Sequence, residues 1–146
     1  MQMILNTADI ADKLTEWGIR PSVQRIQIYQ YVCSNPVHPT AETVYAALAP
    51  VIPTLSRTTV YNTLKLFAEH GLVQTLIIED ESVRYDADTS AHLHFKCTEC
   101  GNVFDIDSDY TPQSYAQFAA ELPTGFTAHK IQVCVWGTCP ECERKR

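Results

Sequence analysis

The chain has 146 residues, of which 45% are hydrophobic, and its formal net charge is −6 at pH 7. This hydrophobic fraction excludes a wholly disordered chain, and the acidic balance argues against a uniformly basic nucleic-acid binder while leaving room for a local basic surface. The sequence has no apolar run of about 18 residues and no basic segment leading into a long apolar stretch near its start. We therefore expect a cytoplasmic protein that neither spans a membrane nor is secreted.

Two helices are predicted in the first 35 residues. Asn6 or Thr7 caps the first, which Gly18 ends. The second is predicted over 21–34, with Pro21 in its first turn and Asn35-Pro36 as its stop signal. Its expected common face is formed by Val23, Ile26 and Tyr29 or Gln30.

Two further helices are predicted before residue 71. Thr40 caps the third, which Pro50 closes, and Ser56 caps the fourth, which Gly71 closes. In the fourth helix an i, i+4, i+7 pattern predicts a core-facing stripe. The stripe consists of Val60, Leu64 and Phe67.

The segments 72–79 and 83–86 predict a β-hairpin with a polar turn over 80–82. Short helices followed by a hairpin are typical of a winged helix, a helix-turn-helix variant that places one helix in the major groove of DNA. The same order is compatible with a small helical domain that binds another protein, and the pattern alone leaves both interpretations open.

The sequence pattern in the second half of the chain predicts an α/β domain. Strands are expected over 92–97, 103–107 and 126–136, with a helix over 111–122 capped by Thr111. The fold class is therefore α+β. Its expected parts are an N-terminal winged-helix domain (1–85), a hinge (86–91) and a smaller α/β domain (92–146).

Four of the six cysteines form two Cys-x-x-Cys units, CTEC and CPEC. Two such units in a chain without a secretion signal are typical of four thiolates around a structural zinc, and Gly101 suits the turn after the first unit. A redox dithiol is the alternative for either pair. Cys33 and Cys134 lie in apolar runs and are expected to be small buried thiols. The predicted zinc ligands are Cys97, Cys100, Cys139 and Cys142.

The stretch HLHFKC predicts a second, separate metal site. Because side chains alternate along a strand, His92 and His94 face one way and Cys97 the other. Imidazoles with carboxylates suit divalent iron, manganese or zinc, and nearby candidates complete such a set. Two surface histidines on a strand, or the facial triad of a non-haem iron enzyme, are the alternatives. The added candidates are His38, Asp86 and Asp105.

Motifs over nearly the whole length resemble the ferric uptake regulator family of metal-responsive transcriptional repressors. The matching stretches are GIRPSVQR, HPTAETVY, LSRTTVYNTL, HLHFKCTECG, VFDI and CPEC. The resemblance implies a homodimer in which the α/β domain dimerises. It also implies a structural Zn²⁺ on the four cysteines, and a regulatory Fe²⁺ or Mn²⁺ on His38, Asp86, His92, His94 and Asp105.

Three positions are similar to the peroxide-stress branch of this family. Asp86 and Asp105 stand where iron-uptake regulators usually carry glutamate, and Asn62 stands where those regulators usually carry arginine. This branch implies that ferrous iron reacts with peroxide and oxidises His38 or His92. Control of iron uptake or zinc uptake is the alternative. A further family metal site is expected to be absent because Leu93 replaces its carboxylate, although His129 matches one of its ligands.

The family also implies binding to double-stranded DNA with a near-palindromic operator, with no small-molecule substrate. Tyr61 and Asn62 are the candidates for base contacts, since an amide can pair with adenine, and partial core packing is the alternative for Tyr61. Basic side chains are expected on phosphates. The predicted DNA-binding set is Lys13, Arg20, Arg57, Thr59, Tyr61 and Asn62.

Overall fold

The computed structural model describes residues 6–35, 38–79, 81–107 and 112–146, apart from the side chains of 112–114. The chain divides into two compact units, one up to Thr89 and one from Ser90 onward. No helix among these described residues is long and apolar enough to cross a membrane. The elements are α1 (Thr7–Glu16), α2 (Val23–Ser34), α3 (Ala41–Leu48), α4 (Arg57–Glu69), β1 (Gln74–Leu76), β2 (Arg84–Asp86), β3 (Leu93–Cys97), β4 (Val103–Ile106), α5 (Pro112–Ala120), β5 (Val133–Gly137) and α6 (Pro140–Arg144).

Side-chain caps define the starts of α1, α3 and α4. Asn6, Thr40 and Ser56 each accept a hydrogen bond from the backbone N–H three residues later, at 2.9, 3.2 and 3.1 Å respectively. Such caps satisfy N–H groups that have no partner within the helix. The predicted starts of these helices are confirmed, and Asn6 rather than Thr7 caps the first.

Helix α2 differs from its prediction in its start and in its buried face. Ser22 is the cap and accepts from the backbone N–H of Arg25, so Pro21 lies before the helix rather than in its first turn. Val23 is 69% exposed because it occupies the first helical position, beyond the core. The buried positions are Ile28, Tyr29 and Val32. Pro36 lies outside the described residues.

The core of the first unit forms around α4. Val60, Leu64 and Phe67 have no solvent exposure, which confirms the predicted stripe. The Phe67 ring meets the Tyr29 ring of α2 edge-on, with centroids 5.8 Å apart. Gly71 ends α4 with a φ of +76°, a conformation that favours glycine, and the Trp17 ring lies 3.2 Å from where a Cβ would stand.

The predicted hairpin is present with shorter strands. Strands β1 and β2 pair antiparallel, with Thr75 opposite Tyr85. An isolated bridge joins Thr40 to Arg84, so β2 also contacts the segment that leads into α3. Asp80, in the predicted turn, lies outside the described residues. Three helices (α1–α3) are followed by α4, the helix expected to enter the major groove, and then by the β1–β2 hairpin. This order confirms a winged helix in the first unit.

The second unit contains a three-stranded sheet in the order β4-β3-β5. Strand β3 pairs antiparallel with β4 and parallel with β5. The prediction of the last strand is wrong over 126–132, because regular pairing begins only at Val133. Helix α6 was not predicted; Pro140 starts it directly after Cys139. The proposed Thr111 cap of α5 lies outside the described residues.

Truncation of the α4 stripe tests this core. We expect Leu64→Ala to lower the free energy of unfolding by about 2–5 kcal/mol, because it leaves a cavity where the wild-type side chain is fully buried. Urea unfolding followed by circular dichroism measures the change. The neighbouring exposed Lys65→Ala is the control and should change stability by no more than about 0.5 kcal/mol. Equal effects of the two substitutions would contradict the assigned face.

Candidate metal centres and nucleic-acid interface

Four cysteine sulfurs converge at one end of the sheet in the second unit. Cys97 ends β3, and Cys139 precedes α6. Gly101 has a φ of +78° and its N–H donates to the Cys97 carbonyl at 2.9 Å, which closes the first Cys-x-x-Cys turn. All four sulfurs, those of Cys97, Cys100, Cys139 and Cys142, lie within 4.8 Å of one another.

This arrangement fits zinc. The Sγ atoms of Cys100 and Cys139 are 3.9 Å apart, and a tetrahedral zinc with bonds of about 2.3 Å separates its sulfurs by about 3.8 Å. Four sulfur donors leave no open coordination position, which suits a structural rather than a catalytic ion. Cys33 and Cys134 are half-buried and lie outside the cluster.

The local electrostatics favour thiolate formation at Cys97. The backbone N–H groups of Cys100 and then Cys139 lower the pKa of the Cys97 thiol to about 6. The hydrogen bond with Cys139, together with desolvation, raises the pKa of Cys142 to about 12, since closely spaced sulfurs resist holding several negative charges. A cation at the centre of the cluster removes this repulsion and stabilises the deprotonated form of every thiol.

A second donor cluster lies on the other face of β3. The rings of His92 and His94 have centroids 4.4 Å apart, which confirms that they share a face. Asp105 stands directly opposite His94 in the register of β3 and β4. Its Oδ1 lies 3.1 Å from Nε2 of His92 and 3.5 Å from Nε2 of His94. The cluster is separate from the cysteines, as strand alternation predicted.

The hydrogen bonds of His92 prepare its Nε2 to bind a cation. Its Nδ1 lies 2.8 Å from the Ser90 carbonyl, which only accepts, so the ring donates from Nδ1. In the neutral form of this ring the lone pair is on Nε2, which lies 3.1 Å from Oδ1 of Asp105, and a divalent ion can bind to both atoms. The Tyr115 hydroxyl also donates to the His92 carbonyl at 3.1 Å.

The first unit contains a further histidine–carboxylate pair. His38 Nε2 lies 3.2 Å from Oδ2 of Asp86, and both side chains are buried. The other carboxylate oxygen of Asp86 accepts from the backbone N–H of Asp88 at 2.9 Å. His38 has a φ of +58°, an uncommon conformation for a residue other than glycine. Such strain concentrates at functional sites, and these nitrogen and oxygen donors suit iron or manganese.

The predicted base-contacting residues lie on the exposed side of α4. Tyr61 is 57% exposed, so more than half of its surface is open to a partner. Asn62 is exposed and lines a cleft of about 590 Å³ together with Arg20 and Arg25. Thr59 is half-buried and its hydroxyl accepts from Ser56, so it also takes part in the helix cap.

The predicted phosphate-contacting residues include two that already have aromatic neighbours. Arg57 pairs with Glu42, at 3.1 Å between Nε and Oε2, and its guanidinium lies 4.5 Å from the centre of the Tyr45 ring. The ammonium of Lys13 lies 5.6 Å from the centre of the Tyr29 ring. The Arg57–Glu42 pair is highly exposed, so it opposes phosphate binding only weakly.

Sequence patterns did not reveal the residues that hold these donors in place. Ser90 and Tyr115 contact His92, and Arg84 contacts the His38 carbonyl at 3.2 Å. Arg25 donates to the Arg20 carbonyl at 2.8 Å at the edge of the α4 cleft. These contacts join residues through main-chain atoms, which carry no residue-specific signal in a sequence.

Comparisons with known proteins find similar sequences over most of this chain. The model of the ferric uptake regulator family matches residues 16–134. The peroxide operon regulator of Bacillus subtilis is 37% identical over 134 residues, which cover 92% of this chain and 91% of that protein. The peroxide-responsive repressor PerR of Staphylococcus aureus is 36% identical over 132 residues, covering 90% and 88% respectively.

A solved structure shows the same fold at lower sequence identity. The ferric uptake regulator Fur of Helicobacter pylori superposes with a TM-score of 0.70 at 18% identity, covering 98% of this chain and 97% of that one. The fold is therefore retained where most side chains differ. Together with the family match and the two relatives above, this shows that the chain belongs to the ferric uptake regulator family, a family of transcriptional regulators rather than enzymes.

Proposed function

We propose that this protein is a metal-dependent, DNA-binding transcriptional repressor that senses peroxide through ferrous iron. The observation that carries the proposal is the cluster of His92, His94 and Asp105, whose donor atoms converge in a chain 37% identical to a peroxide operon regulator. Nitrogen and oxygen donors of this kind suit Fe²⁺ and Mn²⁺, whereas four thiolates select zinc.

The regulatory ion takes its ligands from both units of the chain. The pair His38 and Asp86 belongs to the first unit, and His92, His94 and Asp105 belong to the second. One ion bound by both sets favours the interdomain arrangement in which all five ligands reach it, which is a shift of population driven by metal affinity. Metal and operator then strengthen each other's binding reciprocally.

The second unit carries the structural zinc and the homodimer contact. Its ligands are Cys97, Cys100, Cys139 and Cys142, which hold α6 and the first Cys-x-x-Cys turn against β3. Large apolar side chains exposed on the same unit support association with a second copy, since several such side chains on a small unit are typical of an interface. They are Phe104, Ile106, Phe118, Leu122, Phe126, Val135 and Trp136.

A two-fold dimer presents two copies of α4 to successive major grooves, so the operator is a near-palindrome of double-stranded DNA in the cytoplasm. Tyr61 and Asn62 are exposed on α4 and contact bases. Thr59, at the start of the helix, lies beside them. Lys13, Arg20 and Arg57 contact phosphates, and operator affinity therefore falls as salt rises.

The peroxide signal acts on the ligands themselves. Bound ferrous iron supplies the reducing chemistry that activates hydrogen peroxide. One peroxide oxygen is added to an imidazole carbon of His38 or His92, and the other leaves as water. An oxidised ring is a poor ligand, so the arrangement of units that binds DNA loses its support. Mn²⁺ on the same residues allows repression and resists this reaction.

Control of iron or zinc uptake is the second candidate function, and the same donor set favours it. Aspartate in place of glutamate shortens the side chain but still offers a carboxylate ligand. The two readings separate by their response to peroxide. An iron-uptake regulator keeps its operator after brief peroxide treatment, and a zinc-uptake regulator binds it with zinc on the His/Asp ligands.

The peroxide response is the first test. With Fe²⁺ bound, dilute hydrogen peroxide should abolish operator binding and add one oxygen atom to peptides that contain His38 or His92. With Mn²⁺ bound, the same treatment should leave both unchanged. Fluorescence anisotropy with labelled duplex and peptide mass spectrometry measure the two effects. Unmodified His38 and His92 peptides in the iron-loaded, peroxide-treated protein would rule out peroxide sensing.

The regulatory ligands are tested by His92→Ala. Removing this imidazole should weaken metal-dependent operator binding by about 5- to 150-fold, the usual span of allosteric coupling, because one ligand of the linking ion is gone. His129→Ala is the matched control, since His129 is exposed in the same unit. Titrations of duplex at fixed Mn²⁺ give the affinities. Unchanged metal dependence in His92→Ala would show that the ligands are misassigned.

The zinc ligands are tested by Cys97→Ser. This chain should lose about one zinc per protomer and, with it, the folded and dimeric second unit, because structural zinc contributes about 10–16 kcal/mol of folding free energy in small domains. Metal analysis, circular dichroism and sedimentation follow the loss. Cys134→Ser, in the same unit and outside the cluster, should retain zinc and dimer. A folded, dimeric, zinc-free Cys97→Ser chain would refute the structural role.

A further inference from the structure

In the first unit, Arg84 contacts both the His38–Asp86 pair and the connection between β1 and β2, here called the wing, which includes Glu79 and Ser82. Arg84 begins β2, and Asp86 lies two residues later, so the two side chains project from the same face of the strand. The guanidinium Nη1 donates to the main-chain carbonyl of His38 at 3.2 Å. Arg84 therefore contacts one half of the pair and is built on the strand that carries the other.

The same guanidinium is fixed from the wing side. Its Nε donates to Oε1 of Glu79 at 2.7 Å, and Nη2 lies 3.5 Å from Oε2. Ser82 donates to the same Glu79 oxygen at 2.9 Å. Arg84 and Glu79 are only 19% and 23% exposed, so this pair is far better shielded from solvent than Arg57–Glu42. A planar guanidinium held by these hydrogen bonds has little freedom to move away from the His38 carbonyl.

The backbone of His38 needs such a restraint. Its φ of +58° is sparsely populated by residues other than glycine and persists only where the surroundings hold it. The hydrogen bond from Arg84 fixes the carbonyl of this residue, and a neighbouring bond from the Tyr85 N–H to the Pro39 carbonyl, at 2.9 Å, fixes the next. The direction of the imidazole follows from the backbone conformation held by these bonds.

We propose that Arg84 is a positioning residue for the regulatory ion: it holds the His38 imidazole in binding geometry through the His38 carbonyl and, through Glu79, links that geometry to the wing. This inference rests on the proposed function, since it takes His38 as a ligand. It adds a route within the first unit: through Arg84 and Glu79, an ion bound at His38 restrains the β1–β2 hairpin that follows α4. Residues that orient ligands in this way tune metal affinity without touching the ion.

The test compares zinc-loaded wild type with Arg84→Gln, Arg84→Lys and Glu79→Gln. We expect Arg84→Gln to bind Mn²⁺ about 10-fold more weakly, the low end of the range for residues that orient ligands. The Mn²⁺ affinity of Arg84→Lys should fall between those of wild type and Arg84→Gln, because an ammonium keeps a hydrogen-bond donor but lacks the planar guanidinium. Glu79→Gln should weaken Mn²⁺ binding by a smaller factor than Arg84→Gln. Electron paramagnetic resonance of free Mn²⁺ gives the affinities.

A matched control separates positioning from general destabilisation. Arg25 also donates to a main-chain carbonyl of the first unit, that of Arg20 at 2.8 Å, and makes no contact with the His38–Asp86 pair in the described residues. Arg25→Gln should keep wild-type Mn²⁺ affinity. With Co²⁺ as the probe, the visible absorption bands should change in Arg84→Gln and remain unchanged in Arg25→Gln, since they report ligand geometry.

The outcomes distinguish the two proposals. Wild-type Mn²⁺ affinity and Co²⁺ bands in Arg84→Gln would overturn the positioning role while leaving the proposed function intact. Equal weakening in Arg84→Gln and Arg25→Gln would also overturn it. A wild-type protein that binds no ion beyond its zinc would refute the proposed function itself. If Arg84→Gln has no thermal unfolding transition, the folded Arg84→Lys variant is measured in its place. Wild-type Mn²⁺ affinity in Arg84→Lys would then overturn the positioning role.

Discussion

The alternation of side chains along β3 is the constraint on which both donor clusters depend. The strand has β4 on one edge and β5 on the other, so a slip of one residue would break two ladders and exchange its faces. In the observed register His94 stands opposite Asp105, and Cys97 ends the strand beside Gly137. A Cβ at Gly137 would lie 3.1 Å from the Phe95 ring, so glycine at this position lets β5 approach closely enough to hold the register.

The proposed ligands of the first unit are held by a different means. His38 lies in no strand, and its conformation depends on bonds that Arg84 and Tyr85 make to the main chain around it. Thr40, two residues later, caps α3. His38 therefore lies two residues before the cap of α3, the helix that precedes α4. Strain at such a position stores free energy that a bound ligand or its loss can release.

The features that sequence predicted well are local or periodic. The caps at Thr40 and Ser56, the α4 stripe and the opposite faces of His92 and Cys97 each follow from spacing within a few residues. The features that were missed depend on distant contacts or very short elements: Arg84 lies 46 residues from His38, and α6 has five residues after a Cys-x-x-Cys turn. Over 126–132 the alternating sequence suits a strand, but pairing with β3 begins only at Val133, and a strand forms only where a partner supplies hydrogen bonds.

The two donor sets differ in how strongly they can hold an ion, and this difference is what a sensor requires. Three of the four thiols are almost fully buried, and soft sulfur donors hold zinc in a closed shell. The His/Asp set consists of harder donors, and the Asp105 carboxylate remains one-third exposed, so solvent and small oxidants reach it. A ligand can shift an equilibrium only by its difference in affinity for two states. An ion held as tightly as the zinc under all conditions would report nothing, whereas the proposed ligand His38 depends on a strained backbone conformation that a change in its surroundings can alter.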